Sequence, residues 1–161
     1  MKHVETAIAR VEQLAALLAA DYAANCTGPV WRGAKGEKQL RGVSREQLIS
    51  EGYTPSQAQA MVVDLANTEY KDLPEHWQET NRVAARDLFA VVELLGEDAI
   101  RQADLTDADT RAYFGDIIHE NWLAHNDWAR GGDLDKPFSL LPTQEQDKDI
   151  AQVRILQKVL G

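Results

Sequence analysis

The stretch YKDLPEHWQETNRVAARDL, residues 70–88, aligns without a gap with FSLLPTQEQDKDIAQVRIL, residues 138–156. The offset is 68 residues, and five of the nineteen aligned positions are identical. Each copy begins with an aromatic residue, continues through Leu-Pro and a polar first turn, and ends in an amphipathic helix. The match predicts an internal repeat over 3–95 and 106–160, in which each half consists of a helix, a loop and a second helix.

The rest of the chain is also dominated by helical spacing. Apolar residues recur at 4, 8, 11, 14/15, 18 and 22, which predicts a helix over 3–25. Oxygen side chains that precede an acid or amide by three residues predict further helix starts at Ser44, Thr54, Asp72, Thr106 and Thr143. We therefore expect helices at 44–51, 55–67, 74–95, 106–128 and 143–160, a short turn near 97–103, and extended pieces only within 28–43 and 129–139. The sequence predicts one all-α domain, 1–161, with two pseudo-symmetric helix-loop-helix halves and an insertion at 28–67.

Charge and composition exclude several classes of protein. The chain has 161 residues, 17 Lys and Arg against 26 Asp and Glu, and a net charge of −9. Such an acidic protein is not expected to bind a nucleic-acid polymer, because neutralising phosphates requires a basic surface. No apolar run approaches the ~20 residues that a membrane span needs. The single cysteine, Cys26, excludes a disulfide framework within the chain and favours a cytoplasmic location.

One basic segment interrupts the acidic chain. GPVWRGAKGEKQLRG, residues 28–42, carries Arg32, Lys35, Lys38 and Arg41 against a single acid, Glu37. Its four glycines let backbone N–H groups approach an anion, and its cations supply an attractive field. The segment is therefore either a solvated insertion or an anion-binding loop. It contains no P-loop motif.

A family resemblance appears around the second copy of the repeat. Three stretches resemble motifs of the ryanodine-receptor repeat (RyR) domain family: HENW (residues 119–122), PFSLLP (residues 137–142) and QDKD (residues 146–149). In the first half, LPEHWQETNRVAA, residues 73–85, resembles bacterial relatives more weakly. The segment NDWARGG, residues 126–132, departs from the family because it lacks an aromatic-Gly step. The resemblance implies a mostly helical fold with two similar halves, which binds a nucleotide-derived or other small ligand and does not catalyse a reaction.

Tryptophans and cations supply the candidate binding residues. Trp31 and Trp128 lie in predicted loops beside Arg32 and Arg130, where they could stack a planar ligand or cover the core. Because the two loops occupy equivalent places in the two halves, we expect them to share one cleft. The predicted ligand-binding residues are Trp31, Arg32, Lys35, Trp77, Asn81, His119, Trp122, Trp128, Arg130 and Lys136.

Several of these residues also have a purely structural interpretation. Trp77 and Trp122 fall on the apolar stripes of their helices, which is typical of core residues. Asn81 and Asp149 occupy the same repeat position, where each either bonds the backbone of the preceding loop or contacts a ligand. His119 is expected to make a buried hydrogen bond between the halves.

Catalytic and metal sites are only weakly indicated. Asp116 and His119 are three residues apart on a predicted helix, so a hydrolase could use them as an acid/base pair. No zinc-binding His-Glu-x-x-His motif or complete EF-hand loop occurs, and we expect no metal and no cofactor. The sequence thus predicts a binding module for a small anionic ligand. The alternative is a protein-interaction or assembly module, a homodimer formed through 44–67.

Overall fold

The computed structural model describes residues 2–26, 30–33, 39–41, 45–55 and 62–161. Three short strands form an antiparallel sheet in the order β2-β1-β3, and helices dominate the rest of the described chain. The helices are α1 (Lys2–Ala24), α2 (Arg45–Ser50), α3 (Glu75–Leu95), α4 (Glu97–Arg101), α5 (Ala108–His125) and α6 (Thr143–Leu160). The strands are β1 (Val30–Gly33), β2 (Gln39–Arg41) and β3 (Val62–Asp64), and 3₁₀ turns lie at Tyr70–Asp72, Asp127–Ala129 and Phe138–Leu140. The predicted all-α class is confirmed.

The chain divides into two compact units, Met1–Val83 and Ala84–Gly161. The boundary falls inside α3. None of the described helices is both long enough and apolar enough to cross a bilayer. The predicted single domain, the repeat boundaries and the pseudo-symmetry of the two halves stay predictions.

The first unit packs α1 and the start of α3 around a small apolar cluster. Leu65, Leu73 and Trp77 are buried in it, and Ala19 and Val63 pack against it. Beside this cluster Arg82 is surrounded by acids: it pairs with Glu75, its Nε donates to Glu79 Oε2 at 2.8 Å, and its Nη1 lies 3.6 Å from Glu12 Oε1. The hydroxyl of Tyr70 also donates to Glu12 Oε2 at 2.7 Å. One guanidinium thus links α3 to α1 and to the Tyr70 turn.

The second unit buries the facing sides of its helices. Its most completely buried side chains include Leu88, Ile100, Leu123, Ile150 and Leu156. Gly115 lies so close to the ring of Phe138 that a Cβ at position 115 would overlap this ring. The backbone N–H of Phe138 donates to Asp116 Oδ1 at 3.1 Å, which fixes the 3₁₀ turn onto α5.

The two aligned stretches have the same local structure. A 3₁₀ turn at Tyr70–Asp72 or Phe138–Leu140 is followed by Leu-Pro and then by a helix. In each copy, a glutamine in the first turn of the helix donates its side-chain amide to backbone carbonyls that precede the helix. Gln78 Nε2 donates to the carbonyl oxygens of Lys71 (3.2 Å) and Leu73 (3.0 Å). Gln146 Nε2 donates to those of Phe138 (3.1 Å), Ser139 (3.4 Å) and Leu141 (3.0 Å).

Several predicted elements differ from the structure. The helix predicted at 55–67 is wrong at its end, because the β-branched pair Val62-Val63 belongs to β3, which pairs with β1. The extended piece expected within 129–139 is a series of turns and a 3₁₀ turn. The helix predicted at 106–128 begins at Ala108, and its N-cap is Asp107, whose carboxylate accepts from Thr110 N at 3.0 Å. Thr106 instead bonds the side chain of Asp104.

Candidate functional site

The predicted basic loop is only partly within the described chain. Lys35 and Lys38 lie outside the described residues. Trp31 and Arg32 lie on β1, the central strand of the sheet, and not in a loop as predicted. Their side chains lie outside the described part of the structure, as does that of Trp128 in its 3₁₀ turn. The expected shared cleft therefore stays a prediction.

Trp77 and Asn81 have structural contacts in the first unit. Trp77 is 5% exposed and belongs to the apolar cluster. Asn81 Nδ2 donates to the carbonyl oxygen of Trp77 at 2.9 Å, one turn earlier in the same helix. The expected bond to the preceding loop is thus wrong, since that role is taken by Gln78.

His119 and Trp122 lie together in the second unit. Their rings are stacked, with centroids 5.9 Å apart and planes 15° from parallel. His119 is buried, and its Nε2 lies 2.7 Å from the carbonyl oxygen of Leu134. His119 thus makes a buried hydrogen bond, but the prediction that this bond joins the two halves is wrong, because both partners lie in the second unit. Trp122 is half-buried.

The Asp116–His119 pair required by the hydrolase hypothesis is not formed. Asp116 accepts from Phe138 N, whereas His119 contacts Leu134 through one ring nitrogen and faces Asp149 with the other. The i, i+3 spacing places the two side chains one turn apart, but each has a partner on another segment. Among the described residues, no group of three His, Cys, Asp or Glu side chains gathers as a metal site.

The two cations predicted after Trp128 have different surroundings. Arg130 lies between two acids, with Nη2 at 3.8 Å from Glu120 Oε2 and Nη1 at 3.6 Å from Asp135 Oδ1. Lys136 is exposed. Since Arg130 is already balanced by two carboxylates, it offers little net charge to an anion.

Asp149 is the most strongly perturbed carboxyl group of the described chain. It lies on α6, is 8% exposed, and has its Oδ2 3.8 Å from His119 Nδ1. Burial raises the pKa of Asp149 to about 7, and the charge of Glu145 adds to the rise, while Lys148 lowers it. A buried carboxyl with a raised pKa is a feature that functional sites and structural cores share.

A groove in the second unit brings two cations together. It runs between the 103–106 segment and α6, has a volume of about 470 Å³, and is lined by Arg154, Gln157 and Lys158. Gln157 Nε2 donates to the carbonyl oxygens of Ile100 (2.9 Å) and Ala103 (3.1 Å), which fixes one wall to the helix. Arg154 and Lys158 are exposed, one helical turn apart.

The groove also contains one acid, Asp104. Its Oδ1 accepts hydrogen bonds from Thr106 N at 2.9 Å and from Thr106 Oγ1 at 2.6 Å. These bonds hold the pKa of Asp104 below its usual value, and the bond from the Thr106 hydroxyl contributes more than the bond from the Thr106 N–H. Asp104 is therefore ionised, and its carboxylate is hydrogen-bonded within its own turn. Together with Arg154 and Lys158, it gives the residues lining the groove a net charge of +1.

Arg154 and Lys158 stand out because the unit around them is acidic. Residues 84–161 contain fifteen acids and eight bases, a net charge of −7. Arg101, Arg111 and Lys148 all pair with carboxylates. Arg154 and Lys158 have no ion pair within the part of the chain that the structure describes.

No family model matches the chain, and no similar curated protein or solved structure was found.

The groove was missed at the level of sequence, although a signal for it was available. Arg154 and Lys158 are four residues apart, and neither has an acid three or four residues away in either direction. Like charges at this spacing weaken a helix slightly, and intrahelical acids normally offset them. Arg10, Arg45 and Arg86 also lack an acid at i±3 and i±4, but among the helical cations only Arg154 and Lys158 form a pair of this kind four residues apart.

Proposed function

We propose that the chain is a binding module for a small anionic ligand, and that the groove at Arg154 and Lys158 is its site. The observation that carries the proposal is the pair of cations on one groove wall, without ion pairs in the described chain and within an acidic unit. A guanidinium presents a planar fork of donors to phosphate or carboxylate oxygens, and an ammonium adds a point charge.

The size of the groove supports a small molecule. The groove is shallow and open to solvent, and its volume of about 470 Å³ leaves room for a small molecule that rests against one wall. The wall is held in place before a ligand arrives, because Gln157 is bonded to two backbone carbonyls. A preorganised wall reduces the entropy that binding costs. Nucleotide-derived ligands, which the resemblance to RyR domains implies, belong to the proposed ligand class.

A thermal-shift panel tests this function. The probes are inorganic phosphate, citrate, AMP and cyclic AMP, each added to the full chain and to the variant R154Q/K158Q. A ligand at 100 times its dissociation constant adds ~2.7 kcal/mol to the free energy of unfolding, which raises Tm measurably. We expect at least one probe to raise the Tm of the unchanged chain and not that of R154Q/K158Q.

The control is K148Q, which removes a cation from the same helix outside the groove, where Lys148 pairs with Glu145 at 3.0 Å. This variant should retain the full shift. A second variant, W31A/R32A, separates the groove from the basic segment at 28–42. A shift that persists in R154Q/K158Q, or no shift with any probe, overturns the proposal; loss in W31A/R32A alone would return the site to the basic segment.

A second candidate function is assembly of two copies of the chain. One observation favours it: Ile49 and Tyr53, within the predicted contact segment 44–67, are 37% and 38% exposed. A contiguous apolar patch, unlike a single exposed apolar residue, marks an interaction surface. Light scattering after size exclusion, repeated with I49S/Y53S, should show a dimer that becomes a monomer; a monomer in both samples rejects this candidate. A cytoplasmic location remains part of the proposal.

A further inference from the structure

Two buried titratable side chains meet between α5 and α6. His119 and Asp149 are 5% and 8% exposed, and His119 Nδ1 lies 3.8 Å from Asp149 Oδ2. The separation is longer than a direct hydrogen bond. Neither group belongs to the groove proposed above, so the following inference goes beyond that function and does not depend on it.

The carbonyl of Leu134 fixes which ring nitrogen of His119 carries a proton. Nε2 lies 2.7 Å from this oxygen. A carbonyl oxygen can only accept, so Nε2 must donate. In the neutral ring Nδ1 then has a lone pair, which faces the Asp149 carboxyl. If that carboxyl were ionised while the ring stayed neutral, a lone pair and a negative charge would face each other in a buried site.

We infer that Asp149 is protonated near neutral pH and presents its O–H toward Nδ1 of His119, and that loss of this proton loosens the segment 130–137 held by His119. A neutral acid facing a neutral imidazole avoids the cost of burying charge. Once the carboxyl ionises, it must gain water or turn away. Either change disturbs the ring that holds the carbonyl of Leu134.

The charges around Asp149 agree with this direction. On its own helix, Glu145 repels the ionised form and Lys148 attracts it. On α5, His119 is the titratable group that faces Asp149. Asp116, on the same helix, accepts a hydrogen bond from Phe138 N. In the segment 130–137, Arg130 and Asp135 pair with each other, while Arg130 also pairs with Glu120. Burial, the largest contribution, raises the pKa of Asp149 to about 7.

The pH dependence of unfolding tests the inference. Because the folded pKa of Asp149 lies above its unfolded value, the protonated carboxyl stabilises the fold below about pH 4, and this contribution is lost as pH rises to about 7. The amide side chain of the D149N variant cannot ionise. We expect the unfolding equilibrium constant of the unchanged chain, relative to D149N, to increase by up to about tenfold per pH unit in this window.

The matched control is D147N, two residues away on the same helix, where the carboxylate is exposed and pairs with Arg111. Relative to D147N, the unchanged chain should show no such increase. If the profiles of the unchanged chain and D149N are parallel from about pH 4 to 7, the inference is wrong.

A second measurement uses the unchanged chain and does not depend on how a variant folds. The ¹⁵N shifts of the His119 ring should show that the neutral imidazole carries its proton on Nε2, the nitrogen that faces the carbonyl of Leu134. Amide exchange over 130–137, corrected for its intrinsic pH dependence, should become faster from about pH 6 to 8. A proton on Nδ1 in the neutral ring, or an unchanged corrected exchange rate, overturns the inference.

Discussion

Gln78 and Gln146, 68 residues apart, make equivalent hydrogen bonds in the two units. Each side-chain amide donates to a carbonyl oxygen of the preceding 3₁₀ turn and to that of the leucine in the Leu-Pro step. In both copies the N–H of the same glutamine also donates to the carbonyl of the proline, at 3.1 Å in the first and 3.0 Å in the second. The identity found by aligning the sequence with itself therefore reflects a shared local structure.

The glutamine bonds predict a measurable loss of stability. Q146A leaves the carbonyls of Phe138 and Leu141 without this donor. We expect the free energy of unfolding to fall by about 1–2 kcal/mol in urea titrations. The control, Q144A, changes an exposed residue of the same helical turn and should change stability by less than about 0.5 kcal/mol. Equal effects of the two variants would contradict this role for Gln146.

The close approach of Phe138 to Gly115 predicts that G115A destabilises the protein. Alanine favours a helix by about 1 kcal/mol over glycine. Its Cβ would, however, overlap the Phe138 ring, and overpacking costs typically about 1–3 kcal/mol. We expect a lower free energy of unfolding in urea. At Gly132 the nearest atom to an added Cβ is the Ala129 carbonyl oxygen at 3.4 Å, so G132A is the tolerated control. A stabilised G115A would show that the Phe138 ring moves aside freely.

The cluster of acids around Arg82 predicts that removing the charge of Arg82 lowers the free energy of unfolding more than removing that of Lys71. Arg82 has a side chain only 13% exposed and pairs with Glu12, Glu75 and Glu79. R82M leaves these carboxylates facing one another, and we expect a loss of about 1–3 kcal/mol in thermal or urea unfolding. The pair of Lys71 with Glu69 is far more exposed, so K71M should cost less than about 0.5 kcal/mol. Similar losses of unfolding free energy in R82M and K71M would show that the acids around Arg82 add no special stability.

The N-cap of α5 predicts a specific rescue. Asp107 accepts hydrogen bonds from the N–H and the hydroxyl of Thr110. D107A should lower the free energy of unfolding by about 0.5–2 kcal/mol, because the first turn loses its acceptor. Asn is an equally good cap, so D107N should retain most of the stability. If D107A and D107N lose the same amount, the effect comes from charge and not from the cap.

How much the sequence reveals depends on whether a feature is local. The helices α1, α3 and α6 were predicted within one or two residues, because their apolar periodicity and Leu-Pro starts are local signals. The end of the helix predicted at 55–67 is wrong, because Val62 and Val63 form a strand that pairs with β1, about thirty residues earlier in the chain. The N-cap is predicted one residue early, at Thr106, because Thr106 precedes an acid, Asp109, by three residues, whereas Asp107 precedes Thr110.

The candidate site was harder to predict for the same reason. Residue type alone points to Trp77 and His119 as binding residues, and the structure buries both. Arg154 and Lys158 lie on an ordinary helix face, and the groove beside them forms only when the 103–106 segment packs against α6. Their lack of intrahelical acids was visible in the sequence; the opposite wall of the groove was not.

The most direct test of the proposed function is to map ligand binding on the ¹⁵N-labelled full chain by titration with AMP and with inorganic phosphate. We expect saturable amide shifts at Ala103–Thr106 and at Arg154–Lys158, shifts that weaken with added salt and vanish in R154Q/K158Q. Saturable shifts confined to Val30–Arg41 or to 128–136, or no saturable shift with either probe, would contradict an anion site in this groove.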